Sequence, residues 1–267
     1  MKKIFFAFPL VFFLLVSCDN RRQGCTDPNS PNYDPTAEAD DGECIYPTAN
    51  KKVALFFFND SENNSSGQYG VPLFAQAISD NGSNVIPVAL HPSSSDPLFS
   101  GAAVNIASAY GVLGYPDFGV GSQANLVTIN AINSAINQSL GQAPNGNVEA
   151  NFSVFGDSIK VTLYGKFFGP DSADYFASAY LLEDNINVPQ AGITDPSYRH
   201  NHVLRDATGS SGIGDLVASE TVTGSTSFKK EYSIYVQPGW NTGNMKVVAV
   251  LWRQTPSGFE FVNVNDL

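Results

Sequence analysis

Val53-Ala54-Leu55-Phe56-Phe57-Phe58 is an unbroken apolar run, preceded by Lys51-Lys52 and followed by a polar stretch over residues 59–67. A strand buried on one face alternates apolar and polar side chains, so a run without alternation predicts a strand covered on both faces. The chain beyond it supports this reading. Val71, Phe74, Ala75 and Ile78 share one stripe of a helix that stops near Asn81-Gly82. Val85-Ile86-Pro87-Val88-Ala89-Leu90 predicts a second strand, in which Pro87 implies an edge or a bulge. A helix is expected around residues 98–110, then a Gly114-Tyr115-Pro116 turn into a strand. A last helix carries Leu126, Ile129, Ile132, Ile136 and Leu140 at helical spacing.

Past Gly141-Gln142-Ala143-Pro144-Asn145-Gly146-Asn147, a stretch of turn formers, the pattern changes to strands alone. These are expected at residues 148–155, 159–168, 175–183, 228–236, 246–253 and 259–264, with Gly156-Asp157-Ser158 as a hairpin turn. Residues 185–226 contain few apolar side chains, and a loop of that length is functional or disordered. The expected fold class is α+β in two domains. Residues 51–144 resemble a thioredoxin-like α/β domain, and residues 145–267 read as an all-β, immunoglobulin-like sandwich without an inter-sheet disulfide.

The thioredoxin resemblance implies a Cys-x-x-Cys tetrad after the first strand, where a helix N-terminus stabilises the thiolate. The matching tetrad is Asn63-Asn64-Ser65-Ser66, placed by the following Gly67-Gln68-Tyr69-Gly70-Val71-Pro72. Asn63 and Ser66 stand where the cysteines would be, and Pro116 stands where such folds carry the cis proline that faces them. Ser65 and Ser66 are expected to be helix caps, and thiol-disulfide exchange is not expected.

All three cysteines lie in the first 44 residues. Lys2 and Lys3 precede an apolar run over residues 4–16 that is too short to span a bilayer. It ends in Leu15-Val16-Ser17-Cys18, which resembles a bacterial lipobox. That resemblance implies a lipoprotein signal peptide over residues 1–17 and acylation, palmitate included, at Cys18. Residues 18–50 are then the lipidated N-terminus, a small module and a linker. Outside the cytosol Cys25 and Cys44 are expected to pair, and a loop of this length contributes about 3 kcal/mol. The framed segment, with Gly24-Cys25-Thr26-Asp27-Pro28, Asn32-Tyr33-Asp34-Pro35 and Asp40-Asp41-Gly42-Glu43-Cys44, resembles a module of exported Bacteroidota proteins. Its oxygen-bearing side chains make Asp27, Asp34, Asp40 and Asp41 weak calcium candidates, although their spacing is not that of an EF-hand and solvated acidic turns are the ordinary reading.

Leu182-Glu183-Asp184-Asn185-Ile186, Gln190 and His200-Asn201-His202-Val203-Leu204-Arg205 resemble the outer-membrane protein 28 family of Bacteroidota lipoproteins, over about residues 53–267. The resemblance implies a thioredoxin-like N-terminal part, a β-rich C-terminal part and an outer-membrane location, with no defined activity or ligand. The chain departs from it at Asn63 and Ser66, where many members keep cysteines. His200 and His202, two apart, would share a face of an extended chain and could meet a metal with Asp195, Asp206 or His91 as third ligand. The favoured reading is that they hydrogen-bond the long loop to the sheet or to the first domain. Adjacent Glu183 and Asp184 point to opposite faces of a strand, which suits structure rather than paired-carboxylate catalysis.

No nucleophile elbow, phosphate loop or His-Glu-x-x-His helix occurs. A formal charge of −11 argues against nucleic acid as a partner. Asp19-Asn20-Arg21-Arg22-Gln23 lacks the acidic cluster that accompanies surface export in some Bacteroidota lipoproteins, so either face of the outer membrane stays open. Ser158 and Ser172 lie in triplets that resemble that phylum's O-glycosylation site. The expected function is a lipid-anchored, non-catalytic binding or assembly protein, without cofactor, whose partner is an envelope protein or a glycan. The alternative is a metal-dependent or hydrolytic envelope enzyme using the loop from His200 to Arg205.

Overall fold

The computed structural model describes residues 21–209 and 211–266; the expected signal peptide over residues 1–17 and Cys18 lie outside them. The elements are β1 Val53–Phe58, α1 Val71–Asn81, β2 Val85–Leu90, α2 Gly101–Tyr110, β3 Asp117–Val120 and α3 Ile129–Leu140. There follow β4 Gly146–Phe155, β5 Ser158–Phe167, β6 Tyr175–Glu183, β7 Val203–Ala207, β8 Asp215–Ala218, β9 Ser227–Tyr235, β10 Met245–Thr255 and β11 Gly258–Asp266. The architecture is mixed α+β and mostly strand.

One sheet runs β11-β10-β6-β7-β2-β1-β3, with β8 against β6. β1 and β2 are parallel, and β3 returns antiparallel to β1. β7, inside the segment expected to be a loop, is parallel to β2 and antiparallel to β6, and so joins the two halves of the sheet. Ala89 N donates to His202 O, and two residues earlier Pro87 faces the same side. There β7 has not yet begun, since it is parallel to β2 and pairs with it only through Val203 and Ala89. The missing N–H of Pro87 therefore lies on a locally open edge.

β1 is buried along its whole length. On one face Phe56 packs on Tyr110, Tyr180 and Trp252. On the other, Phe57 stacks on Phe118 with ring centroids 4.9 Å apart and meets Phe74 of α1. The sheet curls until β11 meets the residues leading into β1: Lys52 N donates to Asn263 Oδ1 at 3.0 Å, and Asn263 Nδ2 to Asn50 O at 2.8 Å. One core therefore mixes Phe56, Ile106 and Ile136 with Tyr180, Val250 and Trp252. The change of composition near residue 144 is not a boundary between separate cores.

A second layer, β9-β5-β4, is entirely antiparallel. It buries Val148, Val161, Leu163 and Phe228 against Ala177, Ala179 and Leu181 of β6 and Val247, Ala249 and Leu251 of β10. The intervening Tyr180, Leu182, Val248, Val250 and Trp252 belong to the first core. β6 and β10 are thus buried on both faces, which is why they read as apolar runs. The layers form a sandwich, but one layer continues into β7, β2, β1 and β3, unlike the self-contained immunoglobulin-like sandwich expected from sequence.

Cys25 and Cys44 form a disulfide. The segment they frame docks on the second layer: Asn29 Nδ2 donates to Ser227 O at 3.2 Å and Ser227 Oγ to Asp27 Oδ2 at 2.8 Å, while just past Cys44 the Tyr46 ring lies under Lys166.

Candidate functional site

The tetrad sits at the C-terminal end of β1, where a helical turn begins at residue 64. Asn63 Oδ1 accepts from the N–H of Ser66 at 3.1 Å, which is an N-cap bond. Ser66 is buried, and its Oγ accepts from Asp60 N at 3.4 Å. Ser65 is exposed and makes no capping bond, so the cap expected from the serines is supplied by Asn63. Tyr115-Pro116 is cis, as the resemblance implied. Pro116 lies close to the helix start: a Cβ placed on Gly70 would be 2.7 Å from Pro116 Cβ.

The long loop closes over this position. Ala191 N donates to Ser61 O at 2.7 Å. A Cβ on Gly67 would collide with the Ala191 carbonyl, and one on Gly192 with the Asn64 carbonyl, so the two backbones touch because both residues are glycine. Buried Gln190 accepts from Asn59 Nδ2 at 3.0 Å through Oε1, while its Nε2 donates to Asp60 O at 3.2 Å and lies 3.4 Å from Ser61 O and Asn63 O. One amide thus adds a second donor to carbonyls of the tetrad loop that also accept backbone N–H groups.

Behind this contact lies a polar cluster. His91 and Asp96 side chains are fully buried, with Nδ1 and Oδ2 2.7 Å apart. Asp96 also accepts from Ser61 N and Oγ, each at 2.7 Å, and from Leu98 N at 2.8 Å. Burial alone would raise the Asp96 carboxyl, but these bonds outweigh it and hold the group well below the usual carboxylate range. The His200 ring lies 5.5 Å from that of His91 and 5.0 Å from that of Tyr198, centroid to centroid. Burial, with His91 adding to it, pushes His200 down to about 4, so it is neutral at pH 7.

His200 and His202 do not face one site. His202 has a left-handed backbone, with φ of 60°, which breaks the extended geometry that would align them. Its ring meets Phe74, and its Nδ1 lies 2.8 Å from Lys246 Nζ. Burial and the neighbouring ammonium push it down to about 4. Neither Asp195 nor Asp206 completes a ligand set with it: Asp195 accepts from Ser197, and Asp206 from Ala207 N. Among the described residues no three His, Cys, Asp or Glu side chains gather as a metal site.

The remaining motif residues form a clip. Arg205 Nε lies 2.7 Å from Glu183 Oε2, and Glu183 Oε1 accepts from Asn241 N. Asp184 accepts from His202 N at 2.6 Å and from Lys246 Nζ at 2.7 Å. Asn185 N donates to Asn201 Oδ1, and Ile186 exchanges backbone bonds with His200. The motif fastens the two ends of the segment between β6 and β7 to each other and to β10. The calcium candidates are dispersed: Asp27 accepts from Tyr46 and Ser227, Asp34 from Thr36, Asp40 from Gly42 N and Asp41 from Glu43 N. Of the proposed glycosylation serines, Ser172 is exposed and Ser158 half-buried. Sequence reading did not single out Asn59, Ser61 or Asp96; polar residues following apolar strand runs are the signal that could have marked Asn59 and Ser61.

The chain matches the family described as "Outer membrane protein Omp28" over residues 103–266. Among solved structures it is similar to HBP35 of Porphyromonas gingivalis, with a TM-score of 0.70 and 18% identity over 82% of this chain and 76% of that one. This likeness is one of fold. A domain of the outer membrane lipoprotein Omp28 from Porphyromonas gingivalis matches 46% of this chain and 87% of its own length at 22% identity and a TM-score of 0.33. Among curated proteins, a 24-residue segment is 71% identical to ribulose bisphosphate carboxylase/oxygenase activase of Spinacia oleracea. That segment is 9% of this chain and 5% of the activase.

Proposed function

The chain belongs to the Omp28 family of outer membrane proteins, and we propose that it is a lipid-anchored, non-catalytic binding or assembly protein whose thioredoxin-like half has lost its redox site. The order β2-β1-β3, with β3 antiparallel, supports the thioredoxin-like reading. One observation carries the functional reading: the tetrad's Asn63 is a helix cap, and residues 190–192 of the same chain are fastened against the backbone beside it through Ala191 N and the Gln190 amide. A site that must admit a substrate disulfide cannot have its own chain seated in place of the substrate. The lipid at Cys18 tethers the protein, and the partner is an envelope protein or a glycan. Leu113, 97% exposed, and Tyr69, 68% exposed, lie on the segments flanking Pro116 and the tetrad and offer apolar contact area.

The test has two arms. Cys18→Ala should lose lipid label and leave the membrane fraction; a labelled variant removes the anchor. A variant with Cys18, Cys25 and Cys44 all replaced should not reduce insulin disulfides; turnover by it would overturn the non-catalytic reading. Crosslinking in native membranes with mass spectrometry then identifies the partner.

A further inference from the structure

Four buried polar side-chain atoms without a hydrogen-bond partner belong to His91 and its neighbours: His91 Nε2, His200 Nε2, Asn59 Oδ1 and Ser100 Oγ. Asn59 and His91 follow the paired ends of β1 and β2, where Phe58 lies opposite Leu90 and Asn59 N donates to Leu90 O at 2.8 Å. His200 lies beside His91, and Ser100 N donates to His91 O at 3.2 Å. Unpaired buried polar atoms are rare, and each calls for a water, an ion or another partner.

The three donor groups are oriented from behind. Asp96 Oδ2 holds His91 Nδ1, so that with the proton there Nε2 presents its lone pair. The carbonyls of Val188 and Pro189 lie close enough to the His200 ring to favour a proton on it, and its Nε2 has no hydrogen-bond partner. Gln190 takes the amide N–H of Asn59 and leaves Oδ1 as an acceptor. The result is two imidazole lone pairs and one amide oxygen, all buried and none matched to a protein donor. A carboxylate or carbonyl behind a histidine is the outer-shell arrangement that fixes metal-ligating imidazoles. The ring spacing fits as well. Zn–N bonds of about 2.0–2.1 Å around a tetrahedral ion put two imidazole centroids roughly 5–6 Å apart, and those of His91 and His200 are 5.5 Å apart.

We propose that His91 Nε2, His200 Nε2 and Asn59 Oδ1, with an enclosed water as fourth ligand, bind a divalent transition ion of the zinc type, which fastens the long loop to the ends of β1 and β2. The ion is structural, since the site is closed to solvent: Asn59, His91 and His200 are each at most 2% exposed. This pairs His200 with His91 and leaves His202 out. It is independent of the binding role proposed above.

The test loads the purified chain with Co²⁺ during refolding from urea. The expected result is one equivalent per chain with visible bands of tetrahedral intensity, displaced by Zn²⁺. Uptake should fall at least tenfold in His91→Gln and in His200→Gln and stay unchanged in His202→Gln. No stoichiometric uptake by the wild type, or equal uptake in His91→Gln and His200→Gln, overturns the proposal and leaves buried water as the occupant. Should those variants fail to fold, metal-edge absorption on the wild type decides: imidazole scattering supports the site, and its absence overturns it.

Discussion

Arg205 Nε lies 2.7 Å from Glu183 Oε2, with side chains only 11% and 4% exposed. Arg205 also lies over the Trp240 ring, and Glu183 takes the Asn241 N–H, so both charges are held in place. The pair joins β6 to β7, the strand that links the two halves of the sheet. Removing one partner strands a buried charge, which costs about 3–5 kcal/mol. Arg205→Ala should lose stability of that order in urea unfolding, and Arg205→Met with Glu183→Met should recover much of it. A loss below about 1 kcal/mol would show that the pair is solvated.

Gln190 makes a second prediction. Its side chain spans Asn59 and the carbonyls of the tetrad loop. Gln190→Ala leaves the buried Asn59 amide donor unpaired, a loss worth roughly 1–3 kcal/mol. The effect should be local, with faster amide hydrogen exchange at Ser66 and Ala191 and little change in β1. Uniformly raised exchange across the sheet would mean that the contact holds the whole fold.

These two residues also mark where sequence was informative and where it was not. β1, β6 and β10 were legible because burial on both faces leaves an apolar run. Their double burial was the clue that β6 and β10 serve two cores, and a reading in terms of a separate sandwich missed it. β7 was missed because only Val203 and Leu204 precede Arg205 and Asp206, and a register shift after Leu204 interrupts its pairing. The absence of redox cysteines was legible at Asn63 and Ser66. The covering of that position was not, since Gln190 and Ala191 bind backbone carbonyls, which carry no sequence signature. Spacing alone paired His200 with His202; the left-handed backbone at His202 turned them apart.

Stability should fall on mild acidification. His200 and His202 sit at about 4 in the folded chain, below the ordinary value of 6.5. The folded state therefore binds fewer protons than the unfolded state between those values, so stability is full above about pH 6.5 and is lost as pH falls toward 4. Each histidine contributes a slope of at most about 1.4 kcal/mol per pH unit in that window. Below it, the depressed Asp96 carboxyl adds a loss of the same sign. Urea unfolding from pH 4.5 to 7.5 should show the slope, and His202→Gln should flatten it; an unchanged slope in that variant would place the titration elsewhere.

The disulfide acts on its own module. Reduction of Cys25–Cys44 removes a constraint worth about 3 kcal/mol by loop length. The framed segment meets the sheet mainly through polar contacts at Asn29 and Asp27, and Tyr46 just beyond it meets Lys166 through its ring. Reduced protein should lose exchange protection at Ser30 and Tyr33, while β5 and β9 keep theirs. Global unfolding on reduction would show that the module supports the second layer.

The covering of the tetrad predicts what restoring the cysteines would achieve. Asn63→Cys with Ser66→Cys places two thiols at a helix start, where the helix dipole favours thiolate. Position 63, the attacking one, is half-buried and position 66 fully buried, however, and residues 190–192 lie against the adjoining backbone, where a substrate disulfide would have to approach. A disulfide-exchange site needs the attacking sulfur exposed in line with its target. The restored pair should therefore react with a thiol reagent at least a hundredfold more slowly in the folded than in the unfolded chain, and should not turn over insulin. Adding Gln190→Gly, which releases the amide from Asp60 and Asn63, should raise the rate. If the restored pair alone reduces insulin, the loop opens readily and does not bar a substrate disulfide.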